Sequence, residues 1–313
     1  MGRSSTIEHP RFKPGGSVAQ RSFSVEGTRF PVEPAAPGLH VVATPIGNLG
    51  DITLRALRTL AGADCVAAED TRHTGRLLSH FDIATTLVRY DEHGAERQRP
   101  KLLARLAAGE AVALVSDAGT PLISDPGYKL VAEARAEGHP VHAVPGPSAP
   151  VAALSVAGLP SDAFCFAGFL PPKEAARRSR IAELAQVPAT LLLFEAPHRI
   201  GEALADLAAG LGDRPAAVAR ELTKRFETVD RGTLAELADR YGAGETKGEI
   251  VIVIGPPAHG GSYDEAEVEA MLRAALEHLP VSAAAADVAR ATGRNRRDLY
   301  RRALALKDGG PAE

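Results

Sequence analysis

Tryptophan is absent from this sequence, and cysteine nearly so: only Cys65 and Cys165 stand in 313 residues. Both have apolar neighbours, so they read as reduced core thiols of a cytoplasmic protein rather than a disulfide framework or a metal site. Aromatic residues make up 4% of the chain, too few for the extended stacking surface of a single-strand binder. No apolar run approaches the roughly 18 residues of a membrane helix, and the N-terminus carries no h-region of a secretory signal. Charge of one sign is also missing. The 36 Lys and Arg against 39 Asp and Glu leave a net charge of −3, so any hold on nucleic acid must come from a local patch. Nor are the common phosphate, zinc and nucleophile fingerprints present. There is no G-x-x-x-x-G-K-[ST], no G-x-G-x-x-G after the first strand, no H-E-x-x-H and no G-x-S-x-G. No repeat of 20–50 residues is visible, which excludes a solenoid.

What is present centres on residues 111–127, AVALVSDAGTPLISDPG. Residues 112–115 form a short β-branched apolar run, the pattern of a buried strand. Gly119, Pro121, Pro126 and Gly127 then forbid helix or ladder, and Ser116, Asp117, Thr120, Ser124 and Asp125 offer side-chain oxygens. A helical pattern resumes over 129–137. Four similar units surround it: strands at 39–43, 63–68, 86–90 and 141–144, with helices expected at 52–61, 76–80 and 100–108. Five strands alternating with helices predict a mostly parallel sheet covered on both faces. Its loops 44–51, 69–74, 91–94, 116–127 and 145–149 are polar, and parallel topology gathers them at one edge, where open α/β sheets bind ligands. Carboxylates and small residues at such an edge suit a cationic or zwitterionic ligand better than a polyphosphate.

Residues 1–37 show no periodicity and read as a disordered tail; 38–150 form the first α/β domain. Over 151–257 a second α/β domain is expected, with strands at 163–169, 190–194, 215–219, 227–231 and 249–255 and helices at 151–157, 175–185 and 234–241. A Pro/Gly/Ser stretch follows, and 258–313 reads as a helical module with helices at 264–278, 282–291 (Ser282 as N-cap) and 294–306. Within 288–307 seven Arg and Lys face one Asp. A short helix, a glycine turn and a basic helix resemble a helix-turn-helix able to lie on phosphates.

Taken together, VATPIGNLGD, AAEDTRHT, LVSDAGTPLISDPGYKLV, VPGPSA, FEAPHRI, ELTKRFETVDRGTL and GEIVIVI resemble the ribosomal RNA 2′-O-methyltransferase branch of the tetrapyrrole methylase superfamily. The resemblance runs from about residue 39 to 255 and more loosely through the terminal helices. It implies a two-lobed class III methyltransferase fold with a small C-terminal helical module, a homodimer, and S-adenosylmethionine held between the lobes. By the same resemblance Pro45, Gly119, Thr120, Ile123, Ser148, Ala149 and Phe194 match cofactor-contacting positions. The implied reaction is 2′-O-methylation of a cytidine ribose in 16S RNA of the small subunit. Asp117, Glu195 and His198, with Glu69, Asp70 and His73 beside them, are candidates to orient the hydroxyl or take its proton. Arg72, Arg177, Arg178, Arg199 and Lys224, and the terminal Arg294, Arg297 and Arg301, are candidates for RNA phosphates. One departure is Asp91-Glu92-His93-Gly94, where related chains read H-E-H-N.

Two other readings compete. A small-molecule, tetrapyrrole-type methyltransferase would leave the terminal arginines nothing to hold. A non-enzymatic RNA-binding assembly protein would have no use for so many ligand-type loops.

Overall fold

Ala111–Val115 (β6, taking strands in chain order) is apolar without a break, and all five residues are buried. Its side chains alternate between two cores: Ala113 and Val115 join one cluster, Val112 and Leu114 another. A strand buried on both faces belongs in the middle of a covered parallel sheet, and there it lies in the computed structural model. The structure describes residues 21–307 apart from 126, 243, 245, 258–263 and 293. The chain divides into two compact units, Met1–Pro45 with Leu49–Pro147, and Ile46–Asn48 with Ser148–Glu313.

In the first unit β3 (Gly38–Val42), β4 (Cys65–Ala68), β5 (Leu87–Arg89), β6 and β7 (Val141–Val144) form a parallel sheet in the order β5-β4-β6-β3-β7. The crossovers are α1 (Leu54–Gly62), α2 (Thr71–His80), α3 (Ala95–Ala107) and α4 (Tyr128–Ala136). Thr53 caps α1 by accepting from the Ala56 N–H at 3.0 Å. Two expectations are corrected. Residues 71–74 are helix, not loop, because Asp70 caps α2 and accepts the Arg72 N–H at 2.8 Å. The expected tail instead contains a hairpin, β1 (Ser22–Val25) with β2 (Thr28–Pro31). Its turn residues Glu26 and Gly27 both have positive φ, +48° and +78°, the pattern of a type I′ turn. Phe23, 1% exposed, stacks on Phe30 at 5.2 Å and packs into the cluster that holds Leu57 and Leu60 of α1. That burial is what orders the segment; residues 1–20 of the expected tail lie outside the described residues.

In the second unit α5 (Ala149–Ala157) precedes β8 (Phe164–Phe169), α6 (Glu174–Ala185), β9 (Thr190–Glu195), α7 (Ile200–Leu211), β10 (Pro215–Arg220), β11 (Thr228–Thr233), α8 (Leu234–Gly242) and β12 (Ile250–Ile254). The sheet order is β11-β10-β12-β9-β8; only β8 and β9 pair in parallel. Leu191 and Leu193 of β9 face the core under α6, α7 and α8, while Leu192 faces α5. Helix α7 is not anticipated by the sequence reading, because Gly201 and Gly210 dilute its pattern. Both are close-approach glycines: a Cβ at 201 would stand 3.0 Å from the Tyr241 carbonyl oxygen, and one at 210 would stand 2.5 Å from Ile181 Cγ2.

Three further helices follow, α9 (Glu265–Leu276), α10 (Val281–Thr292) and α11 (Arg296–Lys307), sharing a small core of Val268, Leu272, Ala285, Val288, Leu299 and Ala303. Asp264 and Glu267 form a capping box on α9. Ser282 lies inside α10 rather than at its cap; the Pro280 carbonyl accepts from Ala283 and Ala284 instead. Among the described residues no helix is long and apolar enough to cross a membrane.

Candidate active site

Parallel pairing puts the loops that follow β3, β4, β5, β6 and β7 at one edge of the first sheet, and polar contacts tie them together. Thr44, after β3, exchanges backbone hydrogen bonds with Gly119 at 2.9 and 3.0 Å, and its hydroxyl donates to the Ser116 carbonyl at 3.2 Å. The Thr120 hydroxyl donates to the Pro147 carbonyl, after β7, at 3.1 Å. Asp117, after β6, accepts the Asp70 N–H, after β4, at 3.0 Å. The loop after β6 is shaped by left-handed backbone at Gly119 (φ +79°), Leu122 (+74°), Ser124 (+68°) and Gly127 (+136°). Leu122 and Ser124 occupy a region that L residues other than Asn and Asp rarely enter, at a cost of about 1–3 kcal/mol each. Around them Pro121 is buried, Leu122 is half-buried, and a Cβ at Gly127 would stand 2.9 Å from Leu114 Cδ2.

The edge is acidic. A cavity of about 640 Å³ is lined by Glu69, Asp70, Arg72, Arg89, Asp91 and Asp117, among others. Burial raises the Glu69 carboxyl above its ordinary range, and Asp117, Asp125, Asp91 and Glu92 push it further. Asp125 is likewise raised by burial, with Asp117 adding to it. Asp70 moves the other way, held well below the usual carboxylate range by hydrogen bonds from Arg72. Asp91 is lowered first by the Gly94 N–H, at 2.8 Å, and then by Arg89 against the opposing effect of burial. A Cβ at Gly94 would stand 2.6 Å from Asp91 Oδ1, so the Asp and the Gly of this segment fit each other. Arg89, at the end of β5, escaped the sequence reading; its only signal is a cation closing an apolar strand.

The expected site residues divide between the two units. Pro45, Gly119, Thr120 and Ile123 stand on the tied loops of the first, with Asp117 beside them; Ile123 is 38% exposed. Ser148, Ala149, Phe194, Glu195 and His198 belong to the second. Ser148 is the N-cap residue of α5, and its hydroxyl makes no capping bond. Phe194 is half-buried against Phe166 and Phe169, at 5.0 and 5.4 Å. Glu195 is buried, and its Oε1 accepts from the Ala196 N–H at 2.7 Å and from Arg199 at 2.6 and 2.9 Å. The pair braces the end of β9 through Oε1, while Glu195 Oε2 is buried without a hydrogen-bond partner among the described residues. His198 is exposed on the single 3-10 turn Pro197–Arg199.

Among the expected phosphate contacts, Arg72 is exposed and paired with Asp70 at 2.8 Å. Arg177 is 4% exposed and donates to Asp206 at 2.7 Å, which removes it from the list; Arg178 shares the same carboxylate at 2.9 Å. In the terminal helices Arg294 pairs with Glu265 and Arg301 with Asp298. Arg296 and Arg297 are exposed and form no ion pair among the described residues.

Residues 38–238 match the family profile described as Tetrapyrrole (Corrin/Porphyrin) Methylases, and residues 263–307 the one described as RsmI C-terminal HTH domain. The chain is 52% identical over 283 residues to the ribosomal RNA small subunit methyltransferase I of Mesorhizobium japonicum, covering 90% of this chain and 96% of that protein. It is 44% identical over 311 residues to the protein of the same name from Micromonospora olivasterospora, covering 98% of each. Among solved structures it resembles uroporphyrin-III C-methyltransferase from Thermus thermophilus complexed with S-adenyl homocysteine, at a TM-score of 0.51 and 22% identity over 70% of this chain and 97% of that one. That last likeness is one of fold.

Proposed function

This chain belongs to the tetrapyrrole (corrin/porphyrin) methylase family, and from its likeness to the ribosomal members we propose that it methylates small-subunit ribosomal RNA, at the ribose 2′-oxygen of a cytidine. The observation that carries the reading is that this likeness runs through both α/β units and on through the basic terminal helices. A tetrapyrrole substrate would leave Arg296 and Arg297 without a partner. The enzyme is S-adenosylmethionine-dependent; when bound, that donor supplies an electrophilic methyl on a positively charged sulfur.

The residues present fit such a group. Glu69 and Asp125 carry carboxyls raised in part by neighbouring carboxylates, a surplus of negative charge that a sulfonium relieves. Pro45, Gly119, Thr120 and Ile123 of the first unit, with Ser148, Ala149 and Phe194 of the second, are the residues we assign to hold it. Methyl transfer forms a bond from the ribose oxygen to the methyl carbon, breaks the carbon–sulfur bond, and releases the hydroxyl proton. Holding the oxygen in line is worth about 7–11 kcal/mol, against 10²–10⁴-fold for a positioned base. Orientation therefore dominates. We assign the orienting role to Asp117, fixed by the Asp70 N–H, with Glu69 beside it. Arg72, Arg297 and Arg301 meet RNA phosphates, and the enzyme works as a cytoplasmic homodimer.

Titration calorimetry with S-adenosylmethionine, followed by mass spectrometry of small-subunit RNA from a strain lacking the protein, tests this. Binding together with one missing cytidine 2′-O-methyl is the expected result. Absence of binding at millimolar donor leaves a non-enzymatic RNA binder, and binding with unchanged RNA leaves a small-molecule methyltransferase. Thr120→Trp, which fills the loop after β6, should abolish donor binding while the melting temperature stays within a few degrees.

A further inference from the structure

Residues 221–227, between β10 and β11, make a turn that is firmly held and ends in an exposed ring. Glu221 and Thr223 both take left-handed backbone, at φ +51° and +65°, where neither type is at ease. Lys224 Nζ donates to Glu221 Oε1 at 2.8 Å and reaches Glu249 Oε2 at 3.3 Å. The Thr223 N–H donates to Glu227 at 2.6 Å, and the Glu249 N–H to Glu221 at 3.0 Å. Leu222 anchors the turn from below, 8% exposed. At its tip Phe226 is 66% exposed, with the Arg225 guanidinium 5.5 Å from the ring centre.

The feet of the same turn open on a cavity of about 440 Å³, lined in part by Arg220, Thr228, Asp230, Arg240, Tyr241 and Lys247. Its one carboxylate among these, Asp230, is engaged by the Tyr241 hydroxyl at 2.6 Å and by Arg240 at 3.3 Å. Arg220 donates to neutral oxygens, Thr228 Oγ1 and the Lys247 carbonyl, each at 3.3 Å. Lys247 is exposed. Lys247 forms no ion pair among the described residues, Arg220 shares its charge with Glu221, whose carboxyl it helps lower, and the exposed Phe226 ring stands two residues before Thr228 of the rim. A base of any kind stacks on such a ring, a neighbouring cation strengthens the contact, and unpaired RNA is read in this way. The low aromatic content rules out a broad stacking surface, but one base needs one ring.

We infer that this turn and recess form a single-stranded RNA site outside the terminal helices, in which one unpaired base stacks on Phe226 while an adjacent phosphodiester lies at Arg220 and Lys247. The inference rests on RNA being the substrate. Since the chain has no tryptophan, Phe226→Trp installs a single fluorophore at the tip. Titration with in vitro transcribed small-subunit RNA should quench its emission at near wild-type affinity. Phe226→Ala should weaken binding about tenfold or more, and Lys247→Gln should lower the salt slope by about one phosphate contact. Emission untouched by RNA, with full affinity in Phe226→Ala, would overturn the site. So would emission that shifts with protein concentration instead, which would place the ring between copies of the chain. Wild-type protein that fails to bind the RNA removes the substrate reading as well; wild-type binding matched by Phe226→Ala removes this site alone.

Discussion

Asp206 accepts from Arg177 at 2.7 Å and Arg178 at 2.9 Å, joining α7 to α6. Removing it leaves a guanidinium that is 4% exposed with only the exposed Glu202, 3.6 Å away, as counter-charge, and breaking a buried pair in this way costs up to about 3–5 kcal/mol. Asp206→Ala should therefore show that loss in denaturant titration. Glu69 works in the opposite sense to a salt-bridged acid. Its folded-state carboxyl is raised, by burial first and Asp117 next, so its contribution is fully present below the ordinary Glu range and is lost as pH rises through the folded value. Glu69→Gln should melt at the wild-type temperature near pH 4 and above it at pH 7, which calorimetry across that range checks. Charged residues were the least legible part of the sequence for this reason. Arg177 and Arg199 read as phosphate ligands because their partners, 29 residues away in one case and across a turn in the other, become neighbours only after folding. Asp117 and Glu69 were legible because they follow apolar strands whose ends must share an edge.

At the level of elements, the parallel sheet was written plainly: apolar runs, each followed by a polar loop and a helical stripe. The hairpin β1–β2 was not. Its turn uses Glu-Gly, which reaches the two positive φ values of a type I′ turn without the Asn-Gly or Asp-Gly signal. Its strands are also only four residues long. The hairpin is nonetheless part of the core. Phe23→Ala should cost about 3–5 kcal/mol, and hydrogen exchange should then rise in the hairpin and in α1, whose Leu57 and Leu60 share its cluster. Helix α7 was hidden by glycines that allow close packing instead of breaking the chain.

Across the whole molecule, composition and the shift to helix formers near the end of the chain marked the terminal helices, and the run of alternating strands and helices was read as two α/β stretches, 38–150 and 151–257. Residues offered for one catalytic step fall in both units, Asp117 in the first and Glu195 and His198 in the second, and a linear sequence carries no register between them. The terminal helices have a core of their own, which makes them separable. Truncation after Pro257 should leave S-adenosylmethionine affinity and the main melting transition in place, while RNA binding weakens and its salt dependence flattens. Filter binding at several salt concentrations reads this out, and unchanged affinity and slope would remove the helices from RNA recognition.

Four left-handed residues within nine positions, from Gly119 to Gly127, mean that this loop does not choose its own shape. An excised peptide of that sequence would leave those angles at once; the strand before it and the helix after it, with Thr44 clasping Gly119, compel them. The pocket we propose for the donor has no existence apart from the sheet, so affinity for the donor should disappear in the same cooperative step as the sheet itself, never ahead of it.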